Sequence, residues 1–124
     1  MRFVIVDDSE FLRARLVEFI SDIEGTEIVG QAGSLEEVIE AIEDSNPDVV
    51  ILDIRLRGKN GFLALESIKK RANPPVVIMF TNYPYLQYRK RCMDLGADYF
   101  FYKAVEFDRL FNLIKDLIKA QDQT

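Results

Sequence analysis

The sequence predicts an α/β protein with a doubly wound, parallel sheet of five strands and helices on both faces. Five short apolar runs alternate with longer segments whose apolar residues recur at helical spacing. The runs are continuously apolar, as in strands that are buried on both faces of a sheet. They recur roughly every 25 residues but share no sequence similarity with one another, which argues against a solenoid of repeats.

The apolar runs place the five strands near residues 2–6, 26–32, 48–52, 76–80 and 98–102. Val and Ile dominate the first and third runs, and aromatic residues dominate the fifth. The second run, from Thr26 to Ala32, is the most polar of the five. We therefore expect the second strand to lie at an edge of the sheet.

The first two helices are predicted near residues 9–23 and 35–44. The apolar face of the first helix consists of Leu12, Leu16, Phe19, Ile20 and Ile23. The second helix begins with a capping box, in which the Ser34 hydroxyl accepts from one free N–H and Glu37 reaches back toward another. Asn46-Pro47 ends the second helix, because the residue before a proline avoids the helical region.

The last three helices are predicted near residues 61–71, 84–95 and 106–119. Asn73-Pro74-Pro75 breaks the third helix. The fourth is expected to begin at Pro84, whose missing N–H costs nothing in a first turn, and to be capped by Gly96. The fifth helix is expected to bury Phe107, Leu110, Phe111, Ile114 and Leu117.

Composition narrows the classes of function. The 124 residues fit one domain, and the net charge of −5 is a poor match for a nucleic-acid backbone, so we expect no direct nucleic-acid binding. No apolar run approaches the length of a membrane span, and acidic residues interrupt the first run, so a signal peptide is not expected. The absence of His and the single Cys exclude histidine-based triads, an internal disulfide and zinc clusters. A cytoplasmic protein is expected.

Four of the predicted strands end in polar residues that can take part in chemistry: Asp7-Asp8, Asp53, Thr81 and Lys103. Each has an ordinary alternative, as a helix cap, a turn residue, a strand-end threonine or a solvated lysine. In a parallel sheet, however, all four ends meet at the edge where ligands bind. Adjacent carboxylates suit Mg²⁺, and a carboxylate beside Mg²⁺ can attack a phosphoryl group. A hydroxyl and an ammonium can bind the phosphoryl oxygens.

These residues, in this order, make the whole chain resemble the CheY-like receiver domain of two-component response regulators. Asn60-Gly61 matches the turn that follows the phosphorylated aspartate in that family, and Leu95-Gly96-Ala97-Asp98 matches its Gly-Ala signature before the fifth strand. The resemblance implies a single receiver domain over residues 1–124. It also implies the flavodoxin-like (βα)5 fold, with the strand order 2-1-3-4-5.

The resemblance implies a role for each residue of the acidic half of the site. Asp53 would accept a phosphoryl group from a sensor histidine kinase or a phosphotransfer protein. Asp8, Asp53 and the backbone carbonyl of Arg55 would ligate Mg²⁺, or Mn²⁺ in its place, and Asp7 would act mainly through water. The chain would not be a turnover enzyme, and its catalysis would extend at most to removal of its own phosphoryl group.

The other half of the implied site binds the phosphoryl group and responds to it. Thr81 and Lys103 would bind its oxygens. Phe100 would be the switch aromatic, whose ring turns inward when Thr81 moves toward the phosphate. The output surface would be the fourth helix, fifth strand and fifth helix, which would bind a downstream protein or output domain and could form a homodimer. Tyr85, Tyr88 and the basic cluster Arg89-Lys90-Arg91 are its candidate anchors.

Several positions around the site depart from the family pattern. Ala104 replaces the proline that usually follows the lysine in a cis bond, so we expect a trans or rearranged loop that bears on the reach of Lys103. Arg57 replaces a turn proline. Asn82 is larger than the family's usual Ala or Gly.

Arg55 and Tyr83 occupy the two positions that tune phosphoryl lifetime in the family. Both side chains are long or bulky enough to shield an acyl phosphate from water. We therefore expect slow autodephosphorylation.

Three alternatives remain open beside the phosphoryl switch. A haloacid-dehalogenase-type phosphatase also uses a strand-end Asp, but it needs a second acid where Arg55 stands. A flavodoxin-like cofactor binder lacks its phosphate loop here. A degenerate receiver that binds partners without phosphorylation is kept open by Arg57, Asn82 and Ala104. We favour a stand-alone receiver with no output domain over a segment of a longer regulator.

Overall fold

The computed structural model describes residues 1–83 and 85–123. The strands among these residues, in chain order, are β1 Arg2–Val6, β2 Glu27–Ala32, β3 Val49–Leu52, β4 Arg55–Leu56, β5 Lys59–Asn60, β6 Val76–Thr81 and β7 Tyr99–Tyr102. The five helices are α1 Glu10–Ser21, α2 Leu35–Ser45, α3 Phe62–Lys69, α4 Leu86–Asp94 and α5 Phe107–Asp122. The predicted start of the fourth helix at Pro84 falls outside the described residues.

Five of the strands form one parallel sheet in the order β2-β1-β3-β6-β7. Counted among these five alone, this is the expected order 2-1-3-4-5, and the predicted fold class is confirmed. The polar second strand lies at an edge, as expected. Helices α1 and α5 cover one face of the sheet, and α2, α3 and α4 cover the other.

Continuous apolar strands follow from this two-sided burial. Along β1, Phe3 and Ile5 pack toward α1 and α5, whereas Val4 and Val6 pack toward α2 to α4. All four are at most 2 % exposed. Burial of each such side chain stabilises the fold by about 1.5–3 kcal/mol. None of the helices in the described part of the chain is long and apolar enough to cross a membrane.

Side-chain caps and a left-handed residue fix the helix ends. The Ser34 hydroxyl accepts from the backbone N–H of Glu37 at 3.3 Å and donates to its carboxylate at 3.1 Å, as the capping box predicts. Ser9 caps α1 in the same way, by accepting from the N–H of Leu12 at 3.2 Å. Gly96 follows α4 with a φ of 103°, which confirms its predicted capping position.

The predicted apolar face of α1 is only partly buried. Leu16, Ile20 and Ile23 lie in the core, but Leu12 and Phe19 are each 44 % exposed. These two line a cavity of about 300 Å³ between α1 and α5. The helical period places them on the core side, where the Phe19 ring packs edge to face against Phe107 of α5, with the ring centres 5.1 Å apart.

The segment after β3 contains a short antiparallel hairpin of β4 and β5, which the sequence did not predict. Its two turn residues, Arg57 and Gly58, have φ values of 50° and 78°, as a tight hairpin turn requires. A proline at position 57 could not adopt that φ, so the departure from the family pattern permits the hairpin. Gly61 then passes so close to β3 that a Cβ would lie 2.5 Å from the backbone oxygen of Asp53.

Candidate functional site

The polar residues that follow four strands meet at one edge of the sheet. Asp7 and Asp8 follow β1, Asp53 follows β3, Thr81 ends β6 and Lys103 follows β7. The parallel register brings these ends together, because β1, β3, β6 and β7 are adjacent in the sheet. The structure thus assembles the pocket that the strand-end pattern predicts.

Three carboxylates form the acidic half of this pocket. One carboxylate oxygen from each of Asp7, Asp8 and Asp53 lies within 4.8 Å of those of the other two. Asp7 is 2 % exposed and Asp53 is 7 % exposed, so water screens their repulsion poorly. Oxygen donors at this spacing are the ligand set that Mg²⁺ and Mn²⁺ prefer.

Lys103 holds the two buried carboxylates together. Its ammonium lies 2.7 Å from Asp53 Oδ2 and also donates a short hydrogen bond to Asp7 Oδ2. Burial by itself would lower the pKa of Lys103, but the charge of Asp53 and the hydrogen bonds to Asp53 and Asp7 outweigh it and raise that pKa. The ammonium therefore stays charged across the whole neutral range.

Backbone N–H groups fix the carboxylates from the other side. Asp7 accepts from the N–H of Ser9 at 2.9 Å, and Asp53 accepts from the N–H of Ile54 at 2.7 Å. Asp8 accepts from the N–H of Arg57 at 3.2 Å, which ties the metal-ligand candidate to the hairpin turn. These bonds orient the oxygens before any ligand arrives.

Arg13 is a residue of the site region that the sequence did not reveal. Its guanidinium donates to the backbone carbonyl of Asp7 at 2.6 Å and lies 3.4 Å from the Gln31 side chain. It therefore holds the acidic loop between α1 and the edge strand β2. Its spacing along α1 gave no sign of this, because an arginine on a helix is most often solvated.

The loop that carries Lys103 has a trans Lys103–Ala104 bond, as expected, since no cis bond occurs in the described ranges. The Lys103 side chain nevertheless reaches the carboxylates of Asp7 and Asp53. The backbone N–H of Lys103 donates to the backbone carbonyl of Thr81 at 2.9 Å and so extends the pairing of β6 with β7. Glu106 closes the turn: its N–H donates to the carbonyl of Tyr102 at 2.8 Å, and its carboxylate accepts from the N–H of Tyr102 at 3.1 Å.

Thr81 has a hydroxyl that lacks a hydrogen-bond partner among the described residues, although its side chain is fully buried. An unpaired buried hydroxyl costs about 1–3 kcal/mol. It lies at the same sheet edge as Asp53 and Lys103. An anionic ligand at this edge would satisfy the hydroxyl, and a phosphoryl group on Asp53 is such a ligand.

Comparison with known proteins decides the family. The response regulator receiver domain model matches residues 3–115. The chain belongs to the response regulator receiver domain family.

Individual receiver domains are similar over nearly the whole chain. The sensory transduction protein LytT of Bacillus cereus is 30 % identical over 121 residues, which are 98 % of this chain and 48 % of that protein. The response regulator domain of Thermotoga maritima CheB is 28 % identical with a TM-score of 0.82, over 97 % of this chain and 94 % of the other. A DNA-binding response regulator of the LuxR family from Staphylococcus aureus is 26 % identical with a TM-score of 0.85, over 94 % and 98 %. The chain spans about half the length of the curated relative.

Phe100, which the resemblance implies as the switch aromatic, lies in β7 and is only 4 % exposed. Its ring contacts the ring of Tyr102 at 5.3 Å, and the guanidinium of Arg89 lies 5.7 Å from its centre. The Phe100 ring is thus buried in this structure, and its turning with Thr81 stays a prediction. Phenylalanine has no hydroxyl to keep solvated, so its burial requires no hydrogen-bond partner.

The rim of the receiver site is formed by the remaining predicted residues. The Arg55 guanidinium lies over the Tyr83 ring at 5.2 Å, which joins the hairpin to the segment after β6. Asn82 is exposed, and with Ala104 it lines the cavity between α1 and α5 that also touches Lys103. The rim therefore has one side closed by Arg55 and Tyr83 and another side open at Asn82.

The predicted output anchors separate onto two surfaces. Arg89 lies over Phe100, on the side of β7. Tyr88 packs against Phe62 at 5.7 Å, and Arg91 lies over the same Phe62 ring at 4.9 Å, both toward α3. Helical spacing alone puts these residues on one helix, but it does not reveal which neighbour each one contacts.

Proposed function

We propose that this receiver domain accepts a phosphoryl group on Asp53 from a sensor histidine kinase or a phosphotransfer protein. The observation that carries the proposal is the buried grouping of the Asp53 carboxylate, the Lys103 ammonium 2.7 Å from it and the unpaired Thr81 hydroxyl. A nucleophile, a cation and a free donor at one sheet edge are what phosphoryl transfer needs.

The transfer requires few steps from the protein. A carboxylate oxygen of Asp53 forms a bond to phosphorus as the bond from phosphorus to the donor nitrogen breaks, and that electron pair stays on the donor imidazole. Lys103 then donates to a phosphoryl oxygen and so offsets the new negative charge. Thr81 donates its hydroxyl to a second oxygen and gains the partner that it lacks.

A divalent cation fits the acidic half of the site. Asp8, Asp53 and the backbone carbonyl of Arg55 would hold Mg²⁺ or Mn²⁺, and Asp7 would act through water. When bound, the ion supplies positive charge against the carboxylates and the incoming phosphoryl group. A bound ion would share the Asp8 carboxylate with the backbone N–H of Arg57, which donates to it at 3.2 Å.

We propose that the domain signals through α4, β7 and α5 to a downstream protein or to an output domain of a longer chain. A homodimer through the same surface is a further form of this proposal. The domain would not turn over substrates, apart from loss of its own phosphoryl group, and it would act in the cytoplasm without binding nucleic acid itself. Arg55 and Tyr83 would slow the loss of the phosphoryl group by closing one side of the rim.

A second candidate, a receiver that binds partners without phosphorylation, is favoured by one observation. The Phe100 ring is buried in the free domain, so phosphorylation is not needed to bring this ring into the core. The two candidates differ in whether Asp53 reacts at all.

Intact-protein mass spectrometry separates these candidates. The chain is incubated with Mg²⁺ and acetyl phosphate, and a mass increase of one phosphoryl group is expected. Asp53→Asn should abolish the increase, whereas Asp44→Asn, an exposed control at the end of α2, should keep it. Equal labelling of wild type and Asp53→Asn, or none in wild type, would exclude the phosphoryl switch.

A further inference from the structure

The charge of this acidic chain is divided unevenly. Residues 54–98 contain nine basic and three acidic residues, a net charge of +6, whereas the rest of the chain has a net charge of −11. This segment builds the β4–β5 hairpin, α3, β6 and α4. Most of its basic residues are exposed on the hairpin, α3 and α4, and these exposed residues form what we call the basic surface.

A groove between α3 and α4, which we call the α3–α4 groove, lies within the basic surface. It has a volume of about 560 Å³ and is lined by Asn60, Phe62, Gln87, Tyr88, Lys90, Arg91 and Asp94. The Phe62 and Tyr88 rings meet edge to face at its floor, 5.7 Å apart. Lys90 and Arg91 are exposed at its side. An aromatic floor beside Arg and Lys is typical of a site where a protein partner inserts one anchor residue.

Aromatic contacts join this groove to the phosphorylation site. Tyr88 is 6.3 Å from Tyr83, and the Arg55 guanidinium lies 5.2 Å from the Tyr83 ring. Arg55 is two residues after Asp53 and belongs to the hairpin that is hydrogen-bonded to Asp8 through Arg57. A second, smaller groove of about 170 Å³ runs along this path and shares Tyr88 with the α3–α4 groove.

The two tyrosines on this path, Tyr83 and Tyr88, have more room to become buried than Phe100 has. Phe100 is 4 % exposed, packed by Tyr102 and covered by Arg89, so its ring cannot become much more buried. Tyr83 and Tyr88 are half-buried. A change at Asp53 therefore has more room to move the two tyrosines than to move Phe100.

We propose that the α3–α4 groove binds an acidic protein segment that places one aromatic or leucine side chain against the half-buried Tyr88 ring, beside the Arg91 guanidinium that covers Phe62. Lys90 and Arg91 face the acidic residues on either side of that anchor. We also propose that Tyr83 couples the affinity of the groove to the state of Asp53, and this coupling rests on the proposed phosphorylation. The docking itself does not.

The charge pattern favours an outside partner over a second copy of the chain. The acidic α2 residues Glu36 and Glu37 already pair with Lys59 and Arg57 of the same molecule. A contact between α2 of one copy and the α3–α4 groove of the next would be head-to-tail and would not close into a dimer. A nucleic acid would suit the basic surface less well, because its phosphates would lie within reach of the strongly acidic remainder of the chain.

The docking is tested by NMR titration of the ¹⁵N-labelled chain with an acetylated, amidated peptide of sequence Glu-Asp-Glu-Phe-Glu-Asp-Leu-Glu. Amide shifts are expected at Phe62, Gln87, Tyr88 and Arg91. Arg91→Glu should weaken binding about tenfold, because it places like charges together, whereas Lys119→Glu, the same charge change on exposed α5, should not. No shifts at millimolar peptide, shifts centred on β7 and α5, or tighter binding of a DNA duplex at the same residues would overturn the docking proposal.

The coupling is tested by repeating the titration with Mg²⁺ and BeF₃⁻, with the Thr81 amide as the report of site occupancy. The peptide affinity is expected to change about threefold or more in wild type and not in Tyr83→Ala. A Thr81 shift without a change in affinity would overturn the coupling and leave the proposed function standing. Peptide binding without any Thr81 response would instead count against the proposed function and the coupling together, and it would support docking alone.

Discussion

Removal of the Lys103 ammonium should destabilise the receiver domain strongly when no divalent cation is present. The side chains of Asp7 and Asp53 are only 3 % and 9 % exposed, and both accept hydrogen bonds from Lys103. Lys103→Met therefore leaves two nearly buried carboxylates close to Asp8 with no cation between them. We expect this change to lower the free energy of unfolding and to do so mainly through charge, because methionine preserves most of the packing.

The size of the loss follows from the burial of the pair. Breaking one side of a buried ion pair costs about 3–5 kcal/mol. For a domain of 124 residues, a loss of about 3 kcal/mol lowers Tm by roughly 12 °C. A divalent cation can replace the missing charge, so Mg²⁺ should stabilise the variant more than the wild type.

Thermal unfolding followed by circular dichroism, in EDTA and in millimolar Mg²⁺, measures both effects. Lys119→Met, an exposed lysine in the last turn of α5, is the matched control and should leave Tm nearly unchanged. A Tm for Lys103→Met within about 2 °C of wild type in EDTA would refute the reasoning. An equal Mg²⁺ response in both proteins would also refute it, because it would show that the ammonium and the ion do not occupy the same role.

The contribution of Lys103 to folding stability changes with pH in a definite direction. The pKa of Lys103 is raised in the folded state, chiefly by Asp53 against the opposing effect of burial. Its contribution to stability is therefore complete below its unfolded pKa of about 10.4 and is lost as the pH rises through the folded value. The Tm difference between wild type and Lys103→Met should be constant from about pH 7 to pH 9 and should shrink above about pH 10.5.

Three further results are expected. Gly61→Ala should lower the free energy of unfolding, measured by urea denaturation, by about 2–3 kcal/mol, because the new Cβ meets backbone oxygens at 2.5 and 2.8 Å. Gly58→Ala, with open space around the new Cβ, should lower it by only about 1 kcal/mol, the cost of a positive φ. Equal losses in the two variants would contradict this. Cys92 should resist thiol reagents at pH 8 in the native protein, because burial raises its pKa to about 12, and fast native labelling would be inconsistent with that burial. The double substitution Arg55→Ala and Tyr83→Ala should shorten the half-life of the phosphorylated protein several-fold, as measured by loss of the phosphoryl mass; an unchanged half-life would show that the rim does not shield the site.

The main site was predictable because a parallel sheet aligns the ends of its strands. Once four apolar runs were read as neighbouring strands, the positions of Asp53, Thr81 and Lys103 followed without any tertiary information. The caps at Ser34 and Gly96 were predictable for a similar reason, since they depend on a few adjacent residues. These features rest on local sequence and on one topological rule.

The features that were missed depend on contacts between distant segments. The β4–β5 hairpin requires Arg57 to adopt a positive φ, which no local pattern demands of an arginine. The reach of Lys103 depends on Glu106, which closes the loop in place of a proline. The packing of Arg89 and Tyr102 around the Phe100 ring is likewise decided by the fold as a whole and not by local sequence.

Location of the phosphoryl group tests the central claim most directly. After reaction with acetyl phosphate and Mg²⁺, borohydride converts an aspartyl phosphate to homoserine, which peptide sequencing by mass spectrometry can place along the chain. We predict homoserine at position 53 and at no other aspartate. Homoserine at a different position, or none after treatment that leaves the protein folded, would contradict a receiver site built on Asp53.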